Sequence, residues 1–309
     1  MNSNDSNFPA ANALANAILN DELCRLFHGR GGLFLGYEHI CLDWFNPVLL
    51  LTSFKELSEA QREQMVADIE TVWKQHHADK PFNLVFQYRN AGRTITDLVA
   101  GDIPEKHVVT ENGADFLVHL LRGQNHGIFL DMANGRKWVK QHAKDKKVLN
   151  LFAYTCAFSV VALQAEATEV VNMDMSKGAL SIGKQNHLLN GFTSGARFLG
   201  HDIFKSWGKL TKLGPYDLIV ADPPSNQKGS FVATKDYVRI LRRLPELLAP
   251  NGEVLLCLNA PELGCDFLMQ QVAETAETLE FVERIDNPEV FADVDEQKSL
   301  KVLRYKLIS

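Results

Sequence analysis

The sequence has little that could hold a fold together by covalent or metal chemistry. Its five cysteines (Cys24, Cys41, Cys156, Cys257 and Cys265) are odd in number, scattered and without a C-x-x-C spacing, which argues against a disulfide framework or a zinc site. No apolar run approaches the ~18–20 residues that a bilayer-spanning helix needs. The start, Met-Asn-Ser-Asn-Asp-Ser-Asn, lacks the basic and apolar blocks of a secretory signal, so a cytoplasmic location is expected. Positive charge is also short: the formal net charge is −6. That excludes a protein coated in cations but leaves room for one local basic face. Arg25 with His28 and Arg30, the Arg136 to Lys147 segment, and Arg239 with Arg242 and Arg243 are candidates, although such clusters are more often solvated helix faces. No internal repeat and no low-complexity linker is visible.

What is present is an ordinary globular composition, 46% hydrophobic and 23% charged over 309 residues. One large or two modest domains with a sizeable core follow from that length. The first residues, to about position 8, are polar and rich in Asn and Ser, a composition of disorder. The apolar spacing from Ala10 to Phe27 predicts a helix that ends at His28-Gly-Arg-Gly-Gly32. Phe34 to Phe54 reads as at least two strands, and Ser58 to His76 as an amphipathic helix opened by a capping box of Ser58 and Gln61. Two hairpins follow, one turning at Asn90-Ala-Gly92 and one at Asn112-Gly113. Residues 1–129 are therefore expected to form a small α+β domain with antiparallel strands.

From residue 130 the rhythm changes. After a helix reaching about His142, strands at Val148–Phe152, Glu169–Met173, Ala196–Leu199, Leu218–Ala221 and Glu253–Leu258 alternate with helices, including Ser176–Leu189 and Val232–Leu248. Such alternation predicts an α/β domain over 130–309, a Rossmann-like doubly wound parallel sheet. Leu279–Ile285 and Leu300–Leu307 have no helix between them, so they should add an antiparallel C-terminal edge. The stretch Lys147 to Val160 is the strand–turn–helix unit that opens this domain. Ligands in such sheets lie at the carboxyl ends of the strands.

Acidic residues stand at those ends. Asp174 follows Val170-Val-Asn-Met173 at the spacing of a ribose-binding carboxylate, though the same residue could simply cap the helix near Ser176. Asp202 can accept from an adenine amino group while Ile203 and Phe204 cover the ring, or it can be a plain turn Asp. The fourth strand ends in Asp222-Pro-Pro-Ser-Asn226. Two prolines fix the backbone and remove two N–H donors, which leaves carbonyls at the sheet edge. That suits an acceptor nitrogen, and it also suits a simple strand stop.

In combination these stretches resemble the bacterial 23S rRNA methyltransferase family, class I enzymes dependent on S-adenosylmethionine. The likeness runs from about Asp115 to the C-terminus. It is carried by Gly127-Ile-Phe-Leu-Asp131 with Arg136, by Val148-Leu-Asn-Leu-Phe-Ala-Tyr-Thr155, and by Asp174-Met-Ser176 with Asn186 and Asn190-Gly191. Asp202-Ile-Phe204, Asp217-Leu-Ile-Val-Ala-Asp-Pro-Pro224 and Leu300-Lys-Val-Leu303 complete it. The resemblance implies that Phe152 to Thr155 line the methionine end of the cofactor, that Asp174 holds the ribose and that Asp202 reads the adenine. It implies that Phe129 and Asp131 close the cofactor pocket and that Asp222-Pro223-Pro224 borders the acceptor base. The cofactor set is thus Phe129, Asp131, Asn150, Phe152, Tyr154, Thr155, Asp174, Met175, Asp202, Ile203 and Asp222. The catalytic set is Asp222, Pro223, Pro224 and Asn259, and no metal is implied. RNA, 23S rRNA in particular, is the expected partner, with no membrane partner and no oligomeric state implied.

Two departures matter. Cys156 and Ala157 stand where the family has Gly or a small residue; a Cβ there is expected to face and crowd the methionine moiety if the backbone needs positive φ. Members that methylate cytosine C5 carry Ser-Cys after the fifth strand, because that carbon needs a thiolate to activate it. Here Ala260 stands at that cysteine, and Asn259 matches the Asn of members that modify guanine N7. The favoured reading is direct in-line methyl transfer to a base nitrogen of RNA, with Arg25, Arg30, Arg89 and Arg93 of the first domain as candidate RNA contacts. A methyltransferase of a small molecule or protein, and a catalytically silent RNA-binding module, are the alternatives. The loop Ser225 to Ser230 with Lys228 is expected to wall the substrate, and Phe231 either stacks on the base or belongs to the core.

Overall fold

The structure, a computed structural model, describes residues 8–90, 92–224, 226–227 (backbone) and 231–308. The polar N-terminal residues, and with them Ser225, Lys228 and the side chains of the expected substrate wall, lie outside the described residues. The chain divides into two compact units. One comprises the residues up to Leu130 with Glu289–Val294, and the other comprises Asp131–Pro288 with Asp295–Ser309.

The first unit opens with helix α1 (Pro9–Ala15). The long helix expected to Phe27 stops there. The Asn16 side chain donates to the Asn12 carbonyl, and Cys24–His28 is instead strand β1, paired antiparallel with β2 (Ile40–Phe45). Pairing along a sheet edge has overridden a helical spacing. β3 (Val48–Ser53), β4 (Leu84–Asn90) and β5 (Arg93–Ala100) complete a sheet in the order β1-β2-β3-β4-β5. Helix α2 (Glu59–His76) begins in the expected capping box: the Ser58 hydroxyl accepts from the Gln61 N–H and the Gln61 amide from the Ser58 N–H. Its Trp73 packs against Trp44 of β2, ring centroids 5.9 Å apart, in a core with Phe27, Leu49 and Phe86. The hairpin β6 (Val108–Glu111) and β7 (Ala114–Leu117) turns at Asn112 and Gly113, both with positive φ, as an Asn-Gly turn requires.

The second unit is the expected α/β sheet. After helix α3 (Ala133–His142) come β8 (Lys147–Leu151), helix α4 (Ala157–Gln164), β9 (Glu169–Met173), helix α5 (Lys177–Leu189), β10 (Ala196–Leu199), helix α6 (Trp207–Leu213) and β11 (Tyr216–Ala221). The short pair β12 (Asn226–Gln227) and β13 (Phe231–Val232) leads to helices α7 (Ala233–Leu241) and α8 (Leu244–Leu247). The single helix expected over Val232–Leu248 is split in two, with Pro245 in the first turn of the second piece. β14 (Leu248–Leu258), helix α9 (Cys265–Thr275), β15 (Leu279–Ile285) and β16 (Lys301–Leu307) follow. The sheet order is β10-β9-β8-β11-β14-β16-β15, with β16 antiparallel to both β14 and β15. Strand order reverses between β8 and β11, so the crevice lies where Leu151 and Ala221 end their strands.

Candidate functional site

The turn after β8 has the densest run of positive-φ non-glycine residues among the described residues. Phe152, Tyr154 and Cys156 all have positive φ, 56°, 48° and 63°. Each such non-glycine residue costs on the order of 1 kcal/mol or more. The compensation comes from hydrogen bonds. The Ala153 N–H donates to the Met173 carbonyl at 3.1 Å and the Cys156 N–H to the Ala153 carbonyl at 2.7 Å. The Tyr154 N–H donates to Asp174 Oδ2 at 2.8 Å, and Asn186 of α5 donates to the Thr155 carbonyl at 3.0 Å. Asp174 thereby braces the turn, and its other oxygen accepts from the Ser176 N–H at 2.7 Å. The cap of α5 is Ser176, whose hydroxyl accepts from Ala179. A carboxylate has about four acceptor positions, so two remain for ribose hydroxyls.

Cys156 corrects the sequence expectation. Its φ is the positive one anticipated, yet its side chain is fully buried against Ala153 and Leu180. It fills the space left by the missing side chain of Gly183 on α5, where an added Cβ would stand 2.5 Å from the sulfur. The thiol therefore points into the protein and does not crowd the strand ends.

The remaining candidates separate into those at the surface of the crevice and those behind it. Met175 is exposed and Asp174 half-buried. Asp202 is half-buried, with one oxygen accepting from the Phe204 N–H at 2.9 Å and the other 3.6 Å from Lys205 Nζ. Ile203, by contrast, sits in the core at 2% exposure. Asn150 is also interior: its amide donates to Asn172. Asn172 in turn donates to Ser159, whose hydroxyl lies 2.9 Å from His187 Nε2. This buried chain links β8, β9, α4 and α5 and supports the turn from behind. Thr155 is buried, Phe152 half-buried. Phe231 is buried, edge-to-face with Phe152 at 5.5 Å and with Tyr237 at 5.9 Å, which assigns it to the core. Phe129 is an exposed residue near the end of the first unit.

At the end of β11, Asp222 keeps part of its surface, but its carboxyl is enclosed enough that burial, with help from Asp131, pushes its pKa up to about 7. Arg136 of α3, itself buried, opposes the shift. Asp131 and Asp222, far apart in sequence, are thus electrostatic neighbours. Pro223 is buried and Pro224 half-buried. One strand over, Asn259 is exposed where β14 has just ended, and Ala260 is buried. Cys257 lies wholly inside β14; burial, then Asp222 and Asp131, raise its thiol far above the ordinary range.

Lys301 is a buried charge beside these strand ends to which the sequence alone gives no role. It is fully buried in β16 opposite Leu258. Its ammonium donates to the Ala260 carbonyl at 2.8 Å and to the Gln297 carbonyl at 2.9 Å, which fastens the segment that carries Asn259. A lysine inside an apolar strand was the available signal.

This arrangement can hold a nucleoside by carboxylates at two adjacent strand ends and an acceptor group at a third. The chain matches the profile of S-adenosylmethionine-dependent methyltransferases over residues 24–306. It belongs to that family. Among similar proteins, ribosomal RNA large subunit methyltransferase I of Aeromonas salmonicida (strain A449) is 31% identical over 247 residues, 78% of this chain and 62% of that protein. The protein of the same name in Tolumonas auensis is 30% identical, over 77% of this chain and 61% of its own length. The chain therefore spans about three-fifths of the curated relatives it matches. A solved structure described as a candidate SAM-dependent methyltransferase from Streptococcus mutans superposes with a TM-score of 0.80 at 25% identity, covering 95% of this chain and 77% of that one. A SAM-dependent methyltransferase from Agrobacterium tumefaciens gives 0.68 at 18% identity, with 95% and 92% covered. The cofactor of this family fits the residues present: acidic acceptors at the ends of β9 and β10, and a turn whose one bulky departure, Cys156, is packed inward.

Proposed function

We propose that this protein methylates a base nitrogen of ribosomal RNA, that of the large subunit, without forming a covalent bond to the base. The observation that carries the reading is the acceptor end of the sheet. The strand that ends beside Asp222-Pro223-Pro224 presents Asn259, and its only cysteine, Cys257, is sealed in the interior. Cys156 is equally buried, its thiol also raised by burial. Methylation of a pyrimidine carbon needs a thiolate that can attack the ring, and neither residue supports that role. A nitrogen brings its own lone pair, so positioning suffices for most of the rate.

S-adenosylmethionine, when bound, supplies a methyl group already activated by its sulfonium. The chain's own residues would do the rest. Asp174 and Asp202 would hold ribose and adenine, and Phe152, Tyr154 and Thr155 would shape the methionine end. Asp131 and Met175 would border the same cofactor site. Asp222, poised near neutrality, can accept a hydrogen bond from a base N–H and can take a proton where the nitrogen carries one. Pro223 and Pro224 lack N–H groups that would compete for the nitrogen lone pair. Asn259 offers both a donor and an acceptor to a base edge, and its correspondence with the guanine-N7 members supports that atom. The names of the relatives support ribosomal RNA as the substrate class. Calorimetric titration with S-adenosylmethionine tests the first step: saturable binding is expected, and absence of heat at millimolar cofactor contradicts the proposal.

A further inference from the structure

In the first unit, the segment Gly29-Arg30-Gly31 that follows β1 is built around the placement of one side chain. A Cβ on Gly29 would lie 1.9 Å from the Tyr37 carbonyl oxygen, and one on Gly31 would lie 2.0 Å from the Ala292 carbonyl oxygen. Backbone therefore presses on both sides, only glycine is tolerated, and the residue between them is held rigidly while its own side chain is exposed. That residue is Arg30, whose guanidinium lies 4.3 Å from the centre of the Phe54 ring. Arg89 of β4 approaches the same ring at 5.5 Å. The residue that follows Phe54 in the chain, Lys55, is exposed.

The charges of this cluster are not matched. Arg25, nearby, is neutralised by Asp43 through bonds of 2.7 and 3.1 Å. Among the described residues no carboxylate forms an ion pair with Arg30 or Arg89, whereas Arg62 pairs with Asp97 and Lys74 with Glu70. Burial, and then the charges of Arg30 and Arg25, depress the pKa of Arg89. Two mutually repelling guanidiniums, held against one ring in a protein of net charge −6, are stabilised most by an anion that arrives from outside.

We infer that Arg30, Phe54 and Arg89 form an RNA-backbone contact of the first unit, in which the two guanidiniums receive phosphates of the substrate. The inference rests on the RNA reading above and adds to it the surface that engages the polymer. Guanidinium forks match phosphate oxygens in geometry as well as charge, and attraction to the shared ring favours keeping both groups beside it.

Binding of an in vitro transcript of the cell's own large-subunit rRNA, measured from low to moderate salt, tests the contact. Arg30→Gln/Arg89→Gln should weaken binding about tenfold and reduce the slope of log affinity against log salt by roughly 1.4–1.8, as loss of two phosphate contacts requires. Arg30→Lys/Arg89→Lys should restore most of the slope. Lys74→Gln/Lys144→Gln, which removes equal charge from residues already paired with Glu70 and Glu166, should leave it unchanged. Unchanged circular dichroism and thermal unfolding of each variant report that it is folded. If the unaltered protein binds the transcript and the arginine variants match it in affinity and slope, this contact is overturned and the RNA reading stands. Failure of the unaltered protein to bind overturns both.

Discussion

The side chain of Cys156 occupies the space that Gly183 leaves open. The two residues are one steric unit: an added Cβ at Gly183 would meet the sulfur at 2.5 Å and the Cys156 Cβ at 3.0 Å. Gly183→Ala should therefore destabilise the protein by roughly 1–3 kcal/mol through overpacking. Cys156→Gly should relieve the positive φ while losing a small buried group. Combined, the substitutions should be markedly less harmful than their sum in chemical denaturation. Strict additivity would contradict the pairing.

Asp174 braces the turn and is proposed to hold the cofactor ribose as well, and its removal tests both. Asp174→Ala is expected to weaken cofactor binding by ~1–3 kcal/mol through lost charge-assisted hydrogen bonds. It should also loosen the turn, because the N–H groups of Tyr154 and Ser176 lose their acceptor. Hydrogen exchange at those two amides separates the duties. Weaker binding with unchanged exchange would deny the structural one, and unchanged affinity would remove Asp174 from the cofactor site.

The fold was largely legible in the sequence because the second unit alternates between the periods of strand and helix from β8 to β14, the split at Pro245 and the short β12–β13 pair aside. Acidic residues and Asp222-Pro223-Pro224 could be placed at strand ends for the same reason. Local spacing failed where long-range pairing decided the outcome: Cys24 to His28 looked helical and became an edge strand on Ile40–Phe45. Local spacing also gave no sign that Ile203 would be buried in the core, because an apolar residue at a strand end can serve either place. The direction of the Cys156 side chain depended on a glycine on the next helix, which no local pattern announces. Lys301 stands inside a recognisable strand pattern, but its meaning depends on two carbonyl partners that the pattern does not reveal.

The Asp222 carboxyl should leave a pH signature. Its folded pKa of about 7 stands above the ordinary 3.8, so the folded state holds this proton more tightly than the unfolded chain does. Its contribution is complete below about pH 4 and lost as pH rises through about 7. Asp222→Asn should match the unaltered protein near pH 4 and exceed it in stability near pH 8, by at most about 4 kcal/mol. Denaturant titrations at both pH values check this; a difference independent of pH contradicts it. Turnover should fall in the same variant far more than cofactor affinity.

Lys301 should act on turnover through the segment it fastens. Lys301→Met keeps much of the volume, removes a costly buried charge and leaves the Ala260 and Gln297 carbonyls without their donor. Those stability effects oppose each other, so the net change should stay within about 2 kcal/mol. Methyl transfer should drop severalfold with cofactor affinity unchanged, since the backbone that follows Asn259 loses one of its ties. Equal loss of turnover and cofactor affinity would assign Lys301 to general packing instead.

The most direct test is transfer of label from methyl-labelled S-adenosylmethionine into RNA isolated from cells that lack this protein, followed by mapping of the labelled nucleotide. One labelled position in large-subunit rRNA is expected, on a base nitrogen, and it should be absent when the RNA comes from cells that contain the protein. Label on a pyrimidine carbon, or incorporation into protein or small molecules with none in RNA, would contradict the proposed chemistry.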